Sequence, residues 1–263
     1  MKKRFPRALL AAWCLGIGLS LSACSIESGE GLASLPRLPG EYLALQQKVD
    51  AILDKGYVPA VAESGAHPQA MQLQDIDGDG QNEIVSFYRS ATSGEYAVYI
   101  HKRQGDDYVE LGSARGYGKY LREVSYPRLQ SGGARAMALS WGTEENATAG
   151  MTVHTLGPEG LTEVLAAGYS SSYITDMDGD GADEIGLISF DKTGGSMQLT
   201  LYGFVDGQCQ ELDQAPLSLD AKSVAKISRG ALQGKAAASL YIDSLSANGG
   251  YVTDVMELRD GSL

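Results

Sequence analysis

Two eleven-residue stretches of this chain are nearly the same and lie 101 positions apart: Asp75–Val85 reads DIDGDGQNEIV and Asp176–Gly186 reads DMDGDGADEIG. An internal repeat constrains a fold more than any single motif, because each copy must pack as its neighbours do. Two weaker copies complete the series. Arg128–Trp141 (RLQSGGARAMALSW) aligns without gaps to Asp75–Tyr88, and Arg229–Ile242 (RGALQGKAAASLYI) aligns to the same stretch. A shared glycine falls at Gly80, Gly133, Gly181 and Gly234, at intervals of 53, 48 and 53 residues.

Each copy has the same strand grammar. A short strand leads into the loop (Met71–Gln74, Ser172–Thr175), and a β-rich strand leaves it (Ile84–Tyr88, Ala136–Trp141, Ile185–Phe190, Ala237–Ile242). After a turn comes a third strand (Tyr96–His101, Met151–Leu156, Met197–Phe204, Tyr251–Leu258). A fourth follows a Gly turn, as at Tyr108–Leu111. Four short strands per unit of about 50 residues is the pattern of a propeller blade. The 33 Gly and 14 Tyr suit short strands and tight turns. The expected fold is all-β: a β-propeller-like array of about four four-stranded blades in residues 57–263, roughly 69–115, 122–167, 172–215 and 222–263. The fourth copy lacks room for its last strand before Leu263. Propellers close with about 4–8 blades, and an open arc leaves unpaired edges. The expectation is therefore a small ring or a chain that continues.

The two strong copies place carboxylates at alternate positions: Asp75, Asp77, Asp79 and Glu83 in one, Asp176, Asp178, Asp180 and Glu184 in the other. Four like charges so close repel unless a cation sits among them. Calcium takes six to eight oxygens at about 2.3–2.6 Å and tolerates irregular geometry; magnesium wants fewer protein ligands and more water. Backbone carbonyls of Gln81 and Ala182, at the seventh position, would complete each set, with the intervening glycines allowing the turn. An EF-hand needs a Glu at position 12 between two helices. Here that position is Ser86 or Leu187, followed by strand formers. The competing reading is an acidic turn with no metal. The pattern D-x-D-G-D-G-x-x-[DE] between two strands resembles the FG-GAP/VCBS repeat, and the repeat organisation covers about residues 69–263. That resemblance implies a calcium-loop propeller with about two calcium sites. The weaker copies depart from it: Arg128, Gln130 and Gly132, then Arg229, Ala231 and Gln233, replace the first three carboxylates.

The N-terminus carries different information. Lys2, Lys3, Arg4 and Arg7 precede the apolar run ALLAAWCLGIGLSLSA. That run is short for a membrane span, which needs about 20 apolar residues. It ends Leu21-Ser22-Ala23-Cys24, which resembles the lipobox of bacterial lipoproteins. The resemblance implies that residues 1–23 are a signal peptide and that Cys24 carries the lipid anchor at the cell envelope, facing outside the cytoplasm. The competing reading is an ordinary secretory signal cleaved near Ala23. Residues 24–40, rich in Ser, Gly and Pro, read as a tether. Residues 41–56 read as an amphipathic helix on which Tyr42, Leu45, Val49, Ile52 and Leu53 share a face, with Gly56 at its stop.

Charge excludes one class of partner. Removing the four basic residues of the signal takes the formal charge from −12 to −16. A surface that acidic repels nucleic-acid phosphates. Without Cys14 and Cys24, Cys209 stands alone, so no intrachain disulfide is expected. His67, His101 and His154 have no ligand spacing, and no catalytic motif is present. One basic, tyrosine-rich segment stands out, RGYGKYLREVSYPR at 115–128. With Gly168–Tyr173 it lies at crossings between blades. Arg115, Tyr117, Lys119, Tyr120, Arg122, Tyr169 and Tyr173 are the candidate ligand surface; the competing reading is packing between blades. The sequence thus suggests a lipid-anchored binding or adhesion module for an extracellular protein or glycan. The alternatives are a polysaccharide-active propeller enzyme and an envelope scaffold.

Overall fold

The computed structural model describes residues 40–116, 118–142, 149–190, 196–231, 238–259 and 262–263. The chain divides into two compact units, Met1–Leu43 and Ala44–Leu263. Residues 1–39, which hold the expected signal peptide, Cys24 and all of the expected tether but Gly40, lie outside the described residues, as does Tyr117. Helix α1 (Gly40–Leu53) begins the described chain. Its expected apolar face is only partly used: Ile52 is buried, Leu45, Val49 and Leu53 are half-buried, and Tyr42 is exposed. The helix stops as its sequence suggests. The Lys55 and Gly56 amides donate back to the Ile52 and Leu53 carbonyls, and Gly56 takes φ 83°.

Among the described residues, everything after the helix is strand and loop, in four antiparallel sheets. The first holds β1 (Tyr57–Pro59), β2 (Met71–Gln74), β3 (Glu83–Ser90), β4 (Tyr96–Gln104) and β5 (Asp107–Arg115). The second holds β6 (Tyr120–Ser125), β7 (Met137–Gly142), β8 (Ala149–Gly157) and β9 (Gly160–Tyr169). The third holds β10 (Ser171–Thr175), β11 (Glu184–Phe190), β12 (Met197–Val205) and β13 (Gln208–Pro216). The fourth has three described strands, β14 (Ala221–Ala231), β15 (Ala238–Ser246) and β16 (Tyr251–Met256). The all-β, blade-like array expected from the repeat is what the chain forms.

The blades are less uniform than the repeat implied. In the first sheet the innermost position is split: β1 and β2 both pair with β3, and residues 60–70 leave the sheet between them. The Ala60 amide donates to the Phe87 carbonyl and the Phe87 amide to the Ala70 carbonyl, which pins both ends of the excursion. The three-residue β1 is too short to show alternation, so no sequence period announces it.

Three apolar seams join consecutive sheets, and strand alternation feeds them. On β7, Met137, Leu139 and Trp141 pack toward the first sheet, while Ala138 packs toward the third. On β11, Ile185 and Leu187 join the second sheet, and Ile188 joins the seam with the fourth. Such strands are buried on both faces, as a layer between two layers must be. Close approach requires small residues: a Cβ on Gly112 would lie 2.7 Å from the Leu161 backbone in the next sheet.

The interstrand loops of the first three copies also contribute a plug. The second loop position is Ile76, Leu129 or Met177 in the first three copies, all buried and each in a different seam. The degenerate second copy thus keeps the plug after losing the carboxylates; the fourth copy has Gly230 there. Leu129→Ala is therefore expected to cost about 2–5 kcal/mol, the range for truncating a buried aliphatic side chain, measured by chemical denaturation.

Candidate functional site

The two acidic loops hang between the first and second strands of their sheets, β2–β3 and β10–β11. Their glycines take the left-handed backbone the turn demands, with φ 78° and 86° at Gly78 and Gly80 and 88° and 91° at Gly179 and Gly181. Asp75 accepts hydrogen bonds from the Gly78 and Gly80 amides at 2.9 and 3.0 Å; Asp176 does the same for Gly179 and Gly181 at 2.6 and 3.1 Å. The glutamates open the outgoing strands and are buried. Glu83 Oε2 accepts from the Ile76 amide at 2.8 Å, and Glu184 Oε2 from the Met177 amide at 2.7 Å. The plug residue and the buried glutamate thus hold each other in place.

Carboxylate oxygens of Asp75, Asp77 and Glu83 lie within 4.8 Å of one another, and so do those of Asp176, Asp178 and Glu184. Either triad could hold a metal ion. Asp79 and Asp180, expected as ligands, fall outside these triads; their carboxylates instead accept the Gln81 and Ala182 amides at 2.9 and 2.7 Å.

The loops differ in charge balance. In the first, Lys102 from β4 reaches in: its Nζ lies 2.5 Å from Asp77, 2.7 Å from Asp79 and 3.2 Å from Glu83 Oε1. Its hydrogen bonds to these carboxylates hold the ammonium well above the usual lysine range and lower the pKa of Asp79. In the second loop no basic side chain pairs with the four acids among the described residues. Burial pushes the Glu184 carboxyl up to about 7, and the charges of Asp178, Asp180 and Asp176 add to it, against the Met177 amide, which favours the ionised form. An all-oxygen set with no internal cation fits a hard divalent ion.

A cavity of about 300 Å³ lies where the innermost strands of the four sheets meet. Arg122 and Glu123 of β6, Tyr169–Ser172 at the β9–β10 crossing, Val224–Ile227 of β14 and Ser64 from the β1–β2 excursion line it. The excursion is fastened there by the Glu63 and Ser64 amides, which donate to the Leu121 and Arg122 carbonyls. Register shifts on β6 between Leu121 and Glu123, and on β14 between Val224 and Lys226, leave Arg122 and Ala225 as unpaired extra residues. A bulge of this kind re-aims a side chain. Neither Arg122 nor Lys226 forms an ion pair among the described residues.

The structure separates the basic segment into parts. Arg122 and Tyr169 come together at the cavity. Arg115 sits at the end of β5, bonded to Glu95 at 2.9 Å and to the Tyr57 hydroxyl at 3.2 Å. Tyr120 covers Gly142, where an added Cβ would lie 2.0 Å from its ring, and the Lys119 amide donates to the Gly142 carbonyl. Tyr173 packs against the third seam. Gly116 and Gly118 make room for Trp141, whose indole N–H donates to Thr152. The described part of the segment is thus split between contacts within a sheet, as for Arg115 and Tyr120, and the first seam, which Leu121, Val124 and Tyr126 join. Sequence reading missed Ser64 and Lys226; they stand in separate repeats, and only the bulges and the excursion bring them together. Burial keeps His101 and His154 below the usual histidine range and pushes the Cys209 thiol up to about 11, which disfavours the thiolate.

No protein-family model matches the sequence, and no curated protein matches it. In structure the chain is similar to the rhamnogalacturonan lyase YesW (14% identity, TM-score 0.38, covering 77% of this chain and 52% of the lyase). It is also similar to Saccharomyces cerevisiae Sqt1 (12%, 0.40, 75% and 53%) and to a Bacillus licheniformis rhamnogalacturonan lyase (12%, 0.38, 78% and 50%). The chain spans about half the length of these structures.

The second loop makes a pH prediction. Glu184 has a folded-state pKa of about 7 against an ordinary 4.5. Its stabilising contribution in metal-free protein is thus complete below about pH 4.5 and is lost as pH rises through 7. In chelator, Glu184→Gln should remove this decline from denaturation curves recorded between pH 5 and 8.

Proposed function

We propose that this chain is a lipid-anchored, calcium-stabilised binding module of the bacterial cell envelope, with FG-GAP/VCBS-type blades and a ligand site at the inter-sheet cavity. The observation that carries this reading is the cavity lining. Arg122 and Lys226, neither of them in an ion pair among the described residues, line it with Ser64, Ser140 and Ser170–Ser172, beside Tyr169 and the single carboxylate of Glu123. Hydroxyls, two cations and a tyrosine suit a polar group with anionic character, as a glycan or an extracellular protein offers. Glycoside hydrolysis commonly needs two carboxylates across the bond. Among the described lining residues only Glu123 supplies one, which favours binding over hydrolysis. Calcium is favoured over magnesium because the second loop offers three convergent carboxylates, and calcium tolerates the irregular geometry of a glycine turn. Its effect would be structural, since the loop joins two strands of one sheet.

Two measurements test the reading. The chain is expected to bind members of a panel of neutral and acidic oligosaccharides and surface proteins. Arg122→Ala with Lys226→Ala should weaken that binding about tenfold or more while leaving the melting temperature unchanged; binding indifferent to both changes would remove the cavity as the site. Cells fed an alkyne-tagged fatty acid should label the chain, and Cys24→Ala should abolish the label; an unlabelled wild type would refute the anchor.

A further inference from the structure

We infer that the two acidic loops are not equivalent: Lys102 serves as a built-in cation at the first, and only the second takes calcium, so the protein binds one calcium ion where its sequence shows two motifs. This rests on the calcium reading above and goes beyond it by assigning the ion to one loop.

Three observations on the page carry the inference. The Lys102 ammonium lies among the carboxylates that would be ligands, within 2.5–3.2 Å of Asp77, Asp79 and Glu83. An ammonium and a divalent ion cannot share that space. Lys102 is also anchored on a strand. Its side chain is only 16% exposed and rises from β4 just past the register shift between Ile100 and His101.

The third observation is the contrast between the sheets, which have the same register here. Ile84 pairs with His101 and Lys102 with Val109; 101 positions on, Ile185 pairs with Tyr202 and Gly203 with Gln210. The residue in the place of Lys102 is therefore Gly203, which has no side chain. Leu212 fills the space beside it, with its Cδ1 2.8 Å from where a Cβ would stand. The second loop keeps four acids and receives no cation from the strand that supplies one in the first. Among the described residues no basic side chain relieves its like charges, which leaves that role to an ion from solution. The first sheet would then hold its loop without calcium, and the third would tighten only when calcium is present.

Calcium titration of the full chain by calorimetry tests this. Wild type should take one ion, and Lys102→Gln two, with a larger calcium-induced rise in melting temperature than wild type. Asp178→Asn in the wild-type background should bind none. Two ions on wild type, or one on both wild type and Lys102→Gln, would overturn the role of Lys102 and leave the calcium reading intact. No binding to either would remove both. Should Lys102→Gln fail to fold, hydrogen exchange on wild type decides instead. Calcium should slow exchange of amides in 176–184 and leave 75–83 unchanged, and protection of both loops would overturn the inference.

Discussion

The seam between neighbouring sheets is the interaction on which the other features rest. A sheet in the middle of the array must bury both faces, so the apolar residues of a strand such as β7 are divided between the two seams. That requirement explains the all-buried pattern of β7 and the small residues where backbones approach. It also explains the loop plugs. Ile76, Leu129 and Met177 extend the seams past the ends of the strands, and they tie loop geometry to sheet packing. The plug and the buried glutamate anchor each acidic loop to its sheet, which ties the spacing of its charges to the fold.

The acidic loops then pose the same problem twice. Glu83 and Glu184 are buried because a backbone amide beside the plug needs an acceptor, and the nearby aspartates cap the glycine turn. Each carboxylate has a local reason to be where it is, yet together they repel. One lysine on the adjoining strand answers that repulsion in the first loop. The third sheet has only a glycine at the matching place, and Glu184 there is raised chiefly by burial, with the charges of the neighbouring aspartates adding to it. The weak second copy avoids the difficulty by dropping the acids and keeping the plug.

The cavity arises from irregularities. Bulges on β6 and β14 and the excursion between β1 and β2 occur at the innermost strands, where the sheets converge. A regular repeat would present the same face from every blade. These departures present different side chains to one space, and that difference is the basis for reading it as a site.

Much of the fold was legible in the chain. Repeat spacing and period-two alternation are local properties, so the all-β array, most of its strands and the acidic loops could be read directly, and Gly56 marked the end of the helix. Register, bulges and the split inner strand could not, because they depend on how one sheet meets the next. The metal motif shows the division most sharply. Spacing alone determined that Asp75, Asp77 and Glu83 converge as Asp176, Asp178 and Glu184 do. That a lysine stands among the first set and a glycine beside the second was decided by tertiary structure, since Lys102 and Gly203 lie on another strand and charge balance acts through space.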